Sequence, residues 1–179
     1  MTKNPKNNRP IVLIGFMATG KTTVGRLVAA RTSRSFIDLD AAIVAEAGMS
    51  VADIFRKEGE AGFRRLESAA LTRALAATDA VIATGGGAAC REDNLQAMLD
   101  GGFVVALWAD AEEIIRRVGD RSGRPLLDGA ADPNAAARKL LQEREPFYAR
   151  AHARVQTVDR APEDVADEVV VLASGGGGP

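Results

Sequence analysis

Residues 15–22 have the types and spacing that a phosphate-binding loop requires. They spell GFMATGKT and match the pattern G-x-x-x-x-G-K-[ST] between an apolar run and a helical stretch. Successive backbone N–H groups of such a loop can surround one phosphate, and Gly20 lacks the Cβ that would obstruct them. Lys21 can then reach the β- and γ-phosphates, and the Thr22 hydroxyl can bind Mg²⁺. The pattern therefore predicts binding of a nucleoside triphosphate with Mg²⁺.

Two aspartates, Asp38 and Asp40, come at the end of the second apolar run, residues 35–38. Ligands of open parallel sheets bind at the carboxyl ends of the strands. Residues two apart on an extended backbone point to the same face, so one carboxylate could meet the water shell of Mg²⁺ and the other an acceptor hydroxyl. The alternative is that Asp38 ends the strand and Asp40 only caps the next helix.

Arg64 and Glu67 stand three residues apart in a helical stretch, where side chains at that spacing are neighbours. The pair is either a guanidinium held for binding or a solvated ion pair.

Three consecutive glycines, Gly85, Gly86 and Gly87, follow the third apolar run. Glycines at the end of a core strand cost conformational entropy, which favours close approach of the backbone to a small ligand over a plain flexible loop.

Further arginines stand in two later segments. Residues 116–128 contain Arg121 and Arg124 among glycines, between two helical stretches, as expected of a lid over a phosphoryl-transfer site. Arg124 would supply positive charge to the transition state there. Arg144 opens the segment REPFY at the end of a helical stretch. The alternative for these arginines is a role in solubility, within a sequence that is generally rich in Arg and Ala.

The elements that must position these residues alternate along the chain. Apolar runs rich in Val, Ile and Phe recur between longer stretches of helical spacing, the pattern of a parallel α/β sheet. Strands are predicted at residues 11–14, 35–38, 80–84, 103–108 and 154–158. Helices are predicted at residues 21–31, 40–47, 51–58, 60–77, 92–100, 111–118, 134–145 and 163–172.

Length and composition limit the alternatives. A chain of 179 residues with 46% hydrophobic residues has room for one domain with a substantial core. We expect that domain at residues 10–173, between a disordered polar arm at 1–9 and a flexible glycine-rich tail at 174–179. The net charge of −1 creates no global field that would recruit nucleic acid or an anionic membrane.

Cysteine and histidine usage excludes further classes of site. Cys90 and His152 are the only residues of their types, so a disulfide within the chain is impossible and a zinc site with several Cys or His ligands is disfavoured. No apolar stretch reaches the roughly 18–20 residues of a membrane span. We expect a cytoplasmic monomer without nucleic-acid or membrane partners.

Taken in order, several segments resemble those of the shikimate kinase family, from about residue 11 to residue 173. These segments are GFMATGKTTVG, FIDLD, SVADIF, GEAGFRRLE, ATGGGA, RPLL and REPFY. The phosphate-binding loop alone fits many kinases, whereas FRxxE, GGG and RxPxY in this order are highly specific. The resemblance implies an α/β fold, a three-layer P-loop kinase with a five-stranded parallel sheet in the order 2-3-1-4-5. An acceptor-binding region would lie at about residues 40–67 and a lid at about residues 119–133.

The resemblance also implies the reaction and its participants. In this family the γ-phosphate of ATP passes to the 3-hydroxyl of shikimate, with Mg²⁺, and gives shikimate 3-phosphate for chorismate and aromatic amino-acid synthesis. The implied catalytic residues are Lys21, Asp40 and Arg124. Asp40 would hydrogen-bond the acceptor hydroxyls and orient the attacking one or take its proton. Thr22 and Asp38 would serve the metal.

Binding residues carry over in the same way. Those implied for ATP are Gly15, Ala18, Thr19, Gly20, Lys21, Thr22, Thr23, Arg117, Arg124 and Arg160. Arg117 would pack beside the adenine, and Arg160 would lie on the base side of the pocket. Those implied for shikimate are Asp40, Arg64, Gly85, Gly86, Gly87 and Arg144, with the two arginines clamping its carboxylate.

The sequence departs from the family at two places, and two rival functions stay open. Leu39 stands where many members carry Thr, and residues 127–133 are rich in Gly and Ala. One rival is another small-molecule kinase on the same scaffold, such as a gluconate or nucleoside-monophosphate kinase, which the glycine triplet and Arg64 disfavour. The other is a non-catalytic P-loop module that binds ATP, which the combination of Lys21, Thr22, Asp38 and Arg124 disfavours.

Overall fold

A five-stranded, entirely parallel sheet forms the centre of the fold. The computed structural model describes residues 9–118 and 132–175. The strands are β1 (Ile11–Ile14), β2 (Ser35–Asp38), β3 (Ala80–Ala83), β4 (Phe103–Trp108) and β5 (Ala153–Gln156). Their order is β2-β3-β1-β4-β5, and Val12 of the central strand pairs with Ile82 on one side and Val104 on the other. The predicted fold class and strand order are confirmed.

Helices cover both faces of the sheet and make three layers. Seven α-helices lie within the described residues: α1 (Lys21–Thr32), α2 (Leu39–Ala47), α3 (Val51–Leu75), α4 (Glu92–Gly101), α5 (Ala111–Val118), α6 (Pro133–Tyr148) and α7 (Pro162–Ala173). Because side chains alternate along a strand, Val12 and Ile14 enter the core under α3 and α4, whereas Ile11 and Leu13 enter the core under α1 and α7. Strands buried on both faces explain the unbroken apolar runs of the sequence.

Several predicted boundaries differ from those of the structure. The two helices predicted at 51–58 and 60–77 are present as the two parts of α3, separated by non-helical backbone at Gly59, where φ is 69° and ψ is −179°, but the second ends at Leu75 rather than at residue 77. Helix α6 continues beyond the predicted end at residue 145, through Pro146 to Tyr148. Phe147 and Tyr148 pack on the core and stabilise this last turn. A short 3₁₀ helix at Ala88–Cys90 was not predicted.

Three segments of the predicted site share one edge of the sheet. The phosphate-binding loop follows β1, Asp38 ends β2, and the glycines follow β3. The carboxyl ends of parallel strands meet at the same edge, so the topology brings these three segments together. Arg121 and Arg124, most of the lid predicted at 119–133, residues 1–8 and residues 176–179 lie outside the described residues. Within the described ranges, no helix combines the length and apolar character needed to cross a membrane.

Candidate functional site

The phosphate-binding loop runs from the end of β1 to the first turn of α1. Gly15 has a φ of 136°, and a β-carbon there would lie 2.3 Å from the Leu107 carbonyl oxygen of β4. Gly20, with a φ of 92°, caps α1. Only glycine adopts these positive φ angles without strain, and only glycine leaves room for the Leu107 carbonyl at position 15. The Thr19 hydroxyl donates to the Phe16 carbonyl at 2.8 Å, which closes the loop on itself.

Lys21 lies along the inside of this loop. Its Nζ donates to the carbonyl oxygens of Gly15 at 2.9 Å and of Phe16 at 2.7 Å, and the residue is buried. The side chain is therefore held with its charge at the mouth of α1, where the helix dipole adds partial positive charge. A cavity of about 360 Å³, here called the phosphate cavity, opens in front of it. Its lining includes Ala18, Gly20, Lys21, Thr22, Thr23, Asp38, Asp40, Gly85 and Gly86.

Thr22 and Asp38 meet on one side of the phosphate cavity. The Thr22 hydroxyl donates to Oδ2 of Asp38 at 2.8 Å, and Oδ1 of Asp38 accepts from the Ala41 N–H at 3.2 Å. Mg²⁺ prefers oxygen ligands and binds proteins through few of them, keeping waters and phosphate oxygens as the rest. The donor set fits such an ion. Among the described residues there is no cluster of three or more His, Cys, Asp or Glu that could hold a metal by itself.

The predicted geometry of the two aspartates is wrong. Strand β2 ends at Asp38, which is the N-cap of α2, and Asp40 lies in the first turn of that helix rather than on an extended backbone. The N-cap hydrogen bond to Ala41 starts the helix earlier than the sequence pattern indicated. Both carboxylates nevertheless line the phosphate cavity.

Asp40 is exposed on the wall of the phosphate cavity, near Asp38, Lys21 and Arg64. Burial raises the pKa of its carboxyl above the ordinary value, Asp38 adds to the rise, and Lys21 and Arg64 oppose it. A carboxylate with a raised pKa accepts a proton more readily. Asp40 is therefore suited to hydrogen-bond a hydroxyl and to take up its proton.

Arg64 is a held guanidinium rather than a solvated surface group. Its Nη1 donates to Oε2 of Glu67 at 2.8 Å, and its Nη2 donates to Oε1 of Glu60 at 3.2 Å. Glu67 is 1% exposed, and burial raises the pKa of its carboxyl while Arg64 opposes the rise. Arg144 is also buried, with its guanidinium 5.5 Å from the centre of the Phe16 ring.

The two arginines border a second cavity, of about 490 Å³, here called the arginine cavity. Its lining residues are Glu60, Ala61, Arg64, Gly87, Cys90, Arg91 and Arg144. A buried and a half-buried guanidinium at one cavity are typical of a carboxylate or phosphate site, since each can form paired hydrogen bonds to such a group.

The glycine loop, residues 85–87, separates the two cavities and touches a different side chain at each position. A β-carbon at Gly85 would lie 2.9 Å from both Oδ1 of Asp40 and Oε1 of Glu67. At Gly86 it would lie 3.4 Å from Nη1 of Arg144, and at Gly87 2.7 Å from Nη2 of Arg64. Close approach, rather than flexibility, therefore explains the triplet.

Arg117 and Arg160 border a third cavity, of about 210 Å³, on the other side of the phosphate-binding loop. Arg117 donates from Nη1 to the Ala18 carbonyl at 3.2 Å and from Nη2 to the Thr157 carbonyl at 2.7 Å. These bonds occupy the edge of the guanidinium, which leaves its flat face for stacking on a planar ring. Nη1 of Arg160 donates a hydrogen bond to Oε2 of Glu168 at 2.5 Å.

Glu113, which belongs to none of the sequence motifs, holds Arg117 in place. Oε1 of Glu113 accepts from Nε of Arg117 at 2.6 Å, and Arg116 donates to both carboxylate oxygens. Hydrogen bonds from Arg116 and then Arg117 lower the pKa of Glu113 to about 2. The spacing of four residues between Glu113 and Arg117 on a helix was the available signal.

Comparison with known proteins points to one family. A family model described as shikimate kinase matches residues 17–174. A shikimate kinase of Symbiobacterium thermophilum is 47% identical over 163 residues, which cover 89% of this chain and 93% of that protein. One from Caldanaerobacter subterraneus subsp. tengcongensis is 46% identical over 160 residues, with the same coverage of 89% and 93%.

Solved structures give the same result. A shikimate kinase from Acinetobacter baumannii in complex with shikimate has a TM-score of 0.90 and 36% identity, and the match covers 94% of each chain. A gluconokinase from Sinorhizobium meliloti has a TM-score of 0.63 at 18% identity, covering 94% of this chain and 93% of that one. At that identity the second likeness shows the fold alone.

Proposed function

The chain belongs to the shikimate kinase family, and we propose which of its residues carry out the family's reaction. The protein is a kinase that transfers the γ-phosphate of ATP to shikimate, in the biosynthesis of aromatic amino acids. We assign the 3-hydroxyl as the acceptor and shikimate 3-phosphate and ADP as the products. The observation that carries the assignment of residues is the glycine loop, which touches Asp40 on one side and Arg64 on the other.

Arg64 and Arg144 bind the acceptor carboxylate in the arginine cavity. Both are buried or nearly so, and Glu67 and Phe16 hold their guanidiniums in place. A planar guanidinium pairs with a carboxylate through two parallel hydrogen bonds, which fixes the orientation of the ring that bears it. The hydroxyls of that ring then reach past Gly85 to Asp40.

Asp40 receives the proton of the attacking hydroxyl or orients that hydroxyl towards the γ-phosphate. The raised pKa of its carboxyl favours proton uptake, and the positive charges of Lys21 and Arg64 oppose the rise. Phosphoryl transfer otherwise requires positioning and neutralisation of charge. Lys21 supplies positive charge at the phosphates, and Arg124, outside the described residues, is proposed to add to it from the lid.

ATP lies with its phosphates in the phosphate-binding loop and its base beside Arg117 and Arg160. The backbone of Gly15, Ala18, Thr19 and Gly20 surrounds the phosphates, with Thr23 at the cavity wall. Thr22 and Asp38 hold Mg²⁺, directly or through its waters. The ion supplies charge neutralisation to the phosphate oxygens. Gly85, Gly86 and Gly87 complete the acceptor side.

The experiment that tests this function compares acceptors. Purified protein is incubated with ATP and Mg²⁺, and ADP release is measured with shikimate, gluconate, AMP, CMP or no acceptor. We expect ADP release that depends on shikimate alone. A response only to gluconate or to a nucleotide would overturn the acceptor assignment. The monomeric state, the cytoplasmic location and the absence of nucleic-acid or membrane partners stay predictions.

A further inference from the structure

Tyr148, the last residue of α6, lies directly behind the glycine loop. Its phenol donates a hydrogen bond of 2.5 Å to the Gly86 carbonyl oxygen, and the residue is 5% exposed. Arg144, one helical turn earlier on α6, lines the arginine cavity, and its Nη1 would lie 3.4 Å from a β-carbon at Gly86. Tyr148 and Arg144, on the same helix, therefore both lie against Gly86 of the loop.

The bond to Gly86 fixes the direction of the next peptide N–H. The described residues contain no cis peptide bond, and in a trans peptide the C=O and N–H groups point to opposite sides. With the Gly86 carbonyl turned towards Tyr148, the N–H of Gly87 points the other way. Gly87 lines the arginine cavity and touches Arg64. The structure gives this N–H no acceptor among the residues it describes.

We propose that Tyr148 is a positioning residue for the acceptor carboxylate, because its hydroxyl holds the Gly86 carbonyl and thereby directs the Gly87 N–H at that carboxylate. The inference rests on the proposed function, in which Arg64 and Arg144 bind the same group. Tyr148 itself does not touch the acceptor. It acts through the peptide between Gly86 and Gly87.

The buried environment of Tyr148 favours a phenol that keeps its proton and always donates a hydrogen bond. Burial raises the pKa of the phenol far above its ordinary value, which Arg144 opposes only in part, so the hydroxyl keeps its proton. The nearest substitute is the Cys90 thiol, whose Sγ lies 4.0 Å from the Gly86 oxygen. A thiol is a weaker donor than a phenol. Removal of the phenol oxygen therefore frees the peptide to rotate.

The first test is Tyr148→Phe, which deletes one oxygen atom and keeps the ring in the core. We expect the KM for shikimate to rise about three- to tenfold, the range for loss of one neutral hydrogen bond, with kcat and the KM for ATP nearly unchanged. The decisive comparison uses an analogue whose carboxylate is reduced to an alcohol, titrated calorimetrically into both proteins. The variant and the wild type should bind this analogue equally.

A matched control removes a hydroxyl far from the site. Thr32 donates to the Val28 carbonyl at 2.7 Å near the end of α1, so Thr32→Val loses a hydrogen bond of the same kind and should keep every kinetic constant. An unchanged KM for shikimate in Tyr148→Phe, or equal losses for shikimate and the reduced analogue, would overturn the inference. Absence of shikimate turnover in the wild type would instead overturn the proposed function.

A second measurement does not depend on how well the variant folds. Tyr148 is the only tyrosine of the chain, so growth on 3-fluorotyrosine labels this position alone. We expect the ¹⁹F resonance of the labelled protein to shift on addition of shikimate and to stay in place with the reduced analogue. Equal shifts with both ligands, or no shift with either, would show that the hydroxyl does not sense the carboxylate.

Discussion

A β-carbon at Gly87 would lie 2.7 Å from Nη2 of Arg64, closer than such atoms approach in folded proteins. Arg64 cannot move away freely, because Glu67 and Glu60 both accept hydrogen bonds from its guanidinium. The glycine and the arginine therefore depend on each other. The backbone of the loop leaves no room for a β-carbon beside the charged group, so both lie next to one ligand group.

We predict that Gly87→Ala displaces Arg64 and raises the KM for shikimate by about tenfold or more, the cost of a lost charged hydrogen bond. The KM for ATP should stay the same, and steady-state kinetics with each substrate varied in turn measures both. Gly101→Ala is the control, because its β-carbon would lie 3.6 Å from Leu75 in ordinary contact. A normal KM for shikimate in Gly87→Ala would remove this contact from the account.

Loss of the carboxylate at Asp40 should separate binding from turnover. In Asp40→Asn the side chain keeps its size and still accepts a hydrogen bond but cannot take up a proton. We expect kcat to fall about 100-fold or more, the usual contribution of a general base, while calorimetry shows ATP binding unchanged. Turnover at the wild-type rate would exclude Asp40 from the reaction.

The pH dependence of the wild type should report the same carboxyl. The pKa of Asp40 is raised, chiefly by burial, so the group becomes protonated on acidification at a higher pH than a free aspartate does. We expect kcat/KM for shikimate to decrease as the pH is lowered through the raised pKa of Asp40. The folded state also binds this proton more tightly than the unfolded chain, so the contribution of Asp40 to stability decreases as the pH rises.

Melting temperatures check this sign. Relative to the wild type, Asp40→Asn should be more stable at neutral pH than at acid pH, where the wild-type carboxyl is protonated as well. A variant that loses stability at neutral pH would contradict the raised pKa.

Arg144 should contribute to affinity for the acceptor rather than to the rate. We expect Arg144→Ala to raise the KM for shikimate about 10- to 100-fold, the range for loss of a charge-assisted hydrogen bond, with a smaller change in kcat. Arg144→Lys should recover little, because an ammonium cannot form paired bonds in one plane. If lysine restored the KM, a simple charge rather than a planar clamp would bind the carboxylate.

Glu113 should influence the KM for ATP but not the KM for shikimate. Glu113→Gln weakens the hold on Arg117, so we expect the KM for ATP to rise about three- to tenfold while the KM for shikimate stays constant. The folded pKa of Glu113 is lowered from an ordinary 4.5 to about 2. Its stabilising contribution is therefore present above pH 4.5 and is lost as the pH falls towards 2. Acid denaturation of both proteins measures this difference.

The sequence predicts the sheet well because its strands are short apolar runs bounded by turn residues. The predicted strands 11–14 and 103–108 coincide with β1 and β4. The continuation of α6 through Pro146 was missed because proline lacks the N–H of a helix interior, and only packing of Phe147 and Tyr148 on the core offsets that loss.

The site is less predictable where it depends on distant contacts. The chemistry of motif residues such as Lys21 and Thr22 can be predicted from their spacing in the sequence. Arg117, in contrast, gains part of its orientation from Thr157, 40 residues later in the chain, and Tyr148 meets Gly86 across 62 residues. No local pattern records such pairs, because the topology of the sheet creates them.

The most direct test of the account is the position of the transferred phosphate. Wild-type protein is incubated with Mg²⁺, shikimate and ATP labelled with ¹⁸O at the γ-phosphate, and the product is examined by ³¹P and ¹H NMR. We predict one labelled phosphate on the 3-hydroxyl of shikimate, formed with the wild type and nearly absent with Asp40→Asn. A phosphate on another hydroxyl, or free labelled phosphate without a shikimate ester, would contradict it.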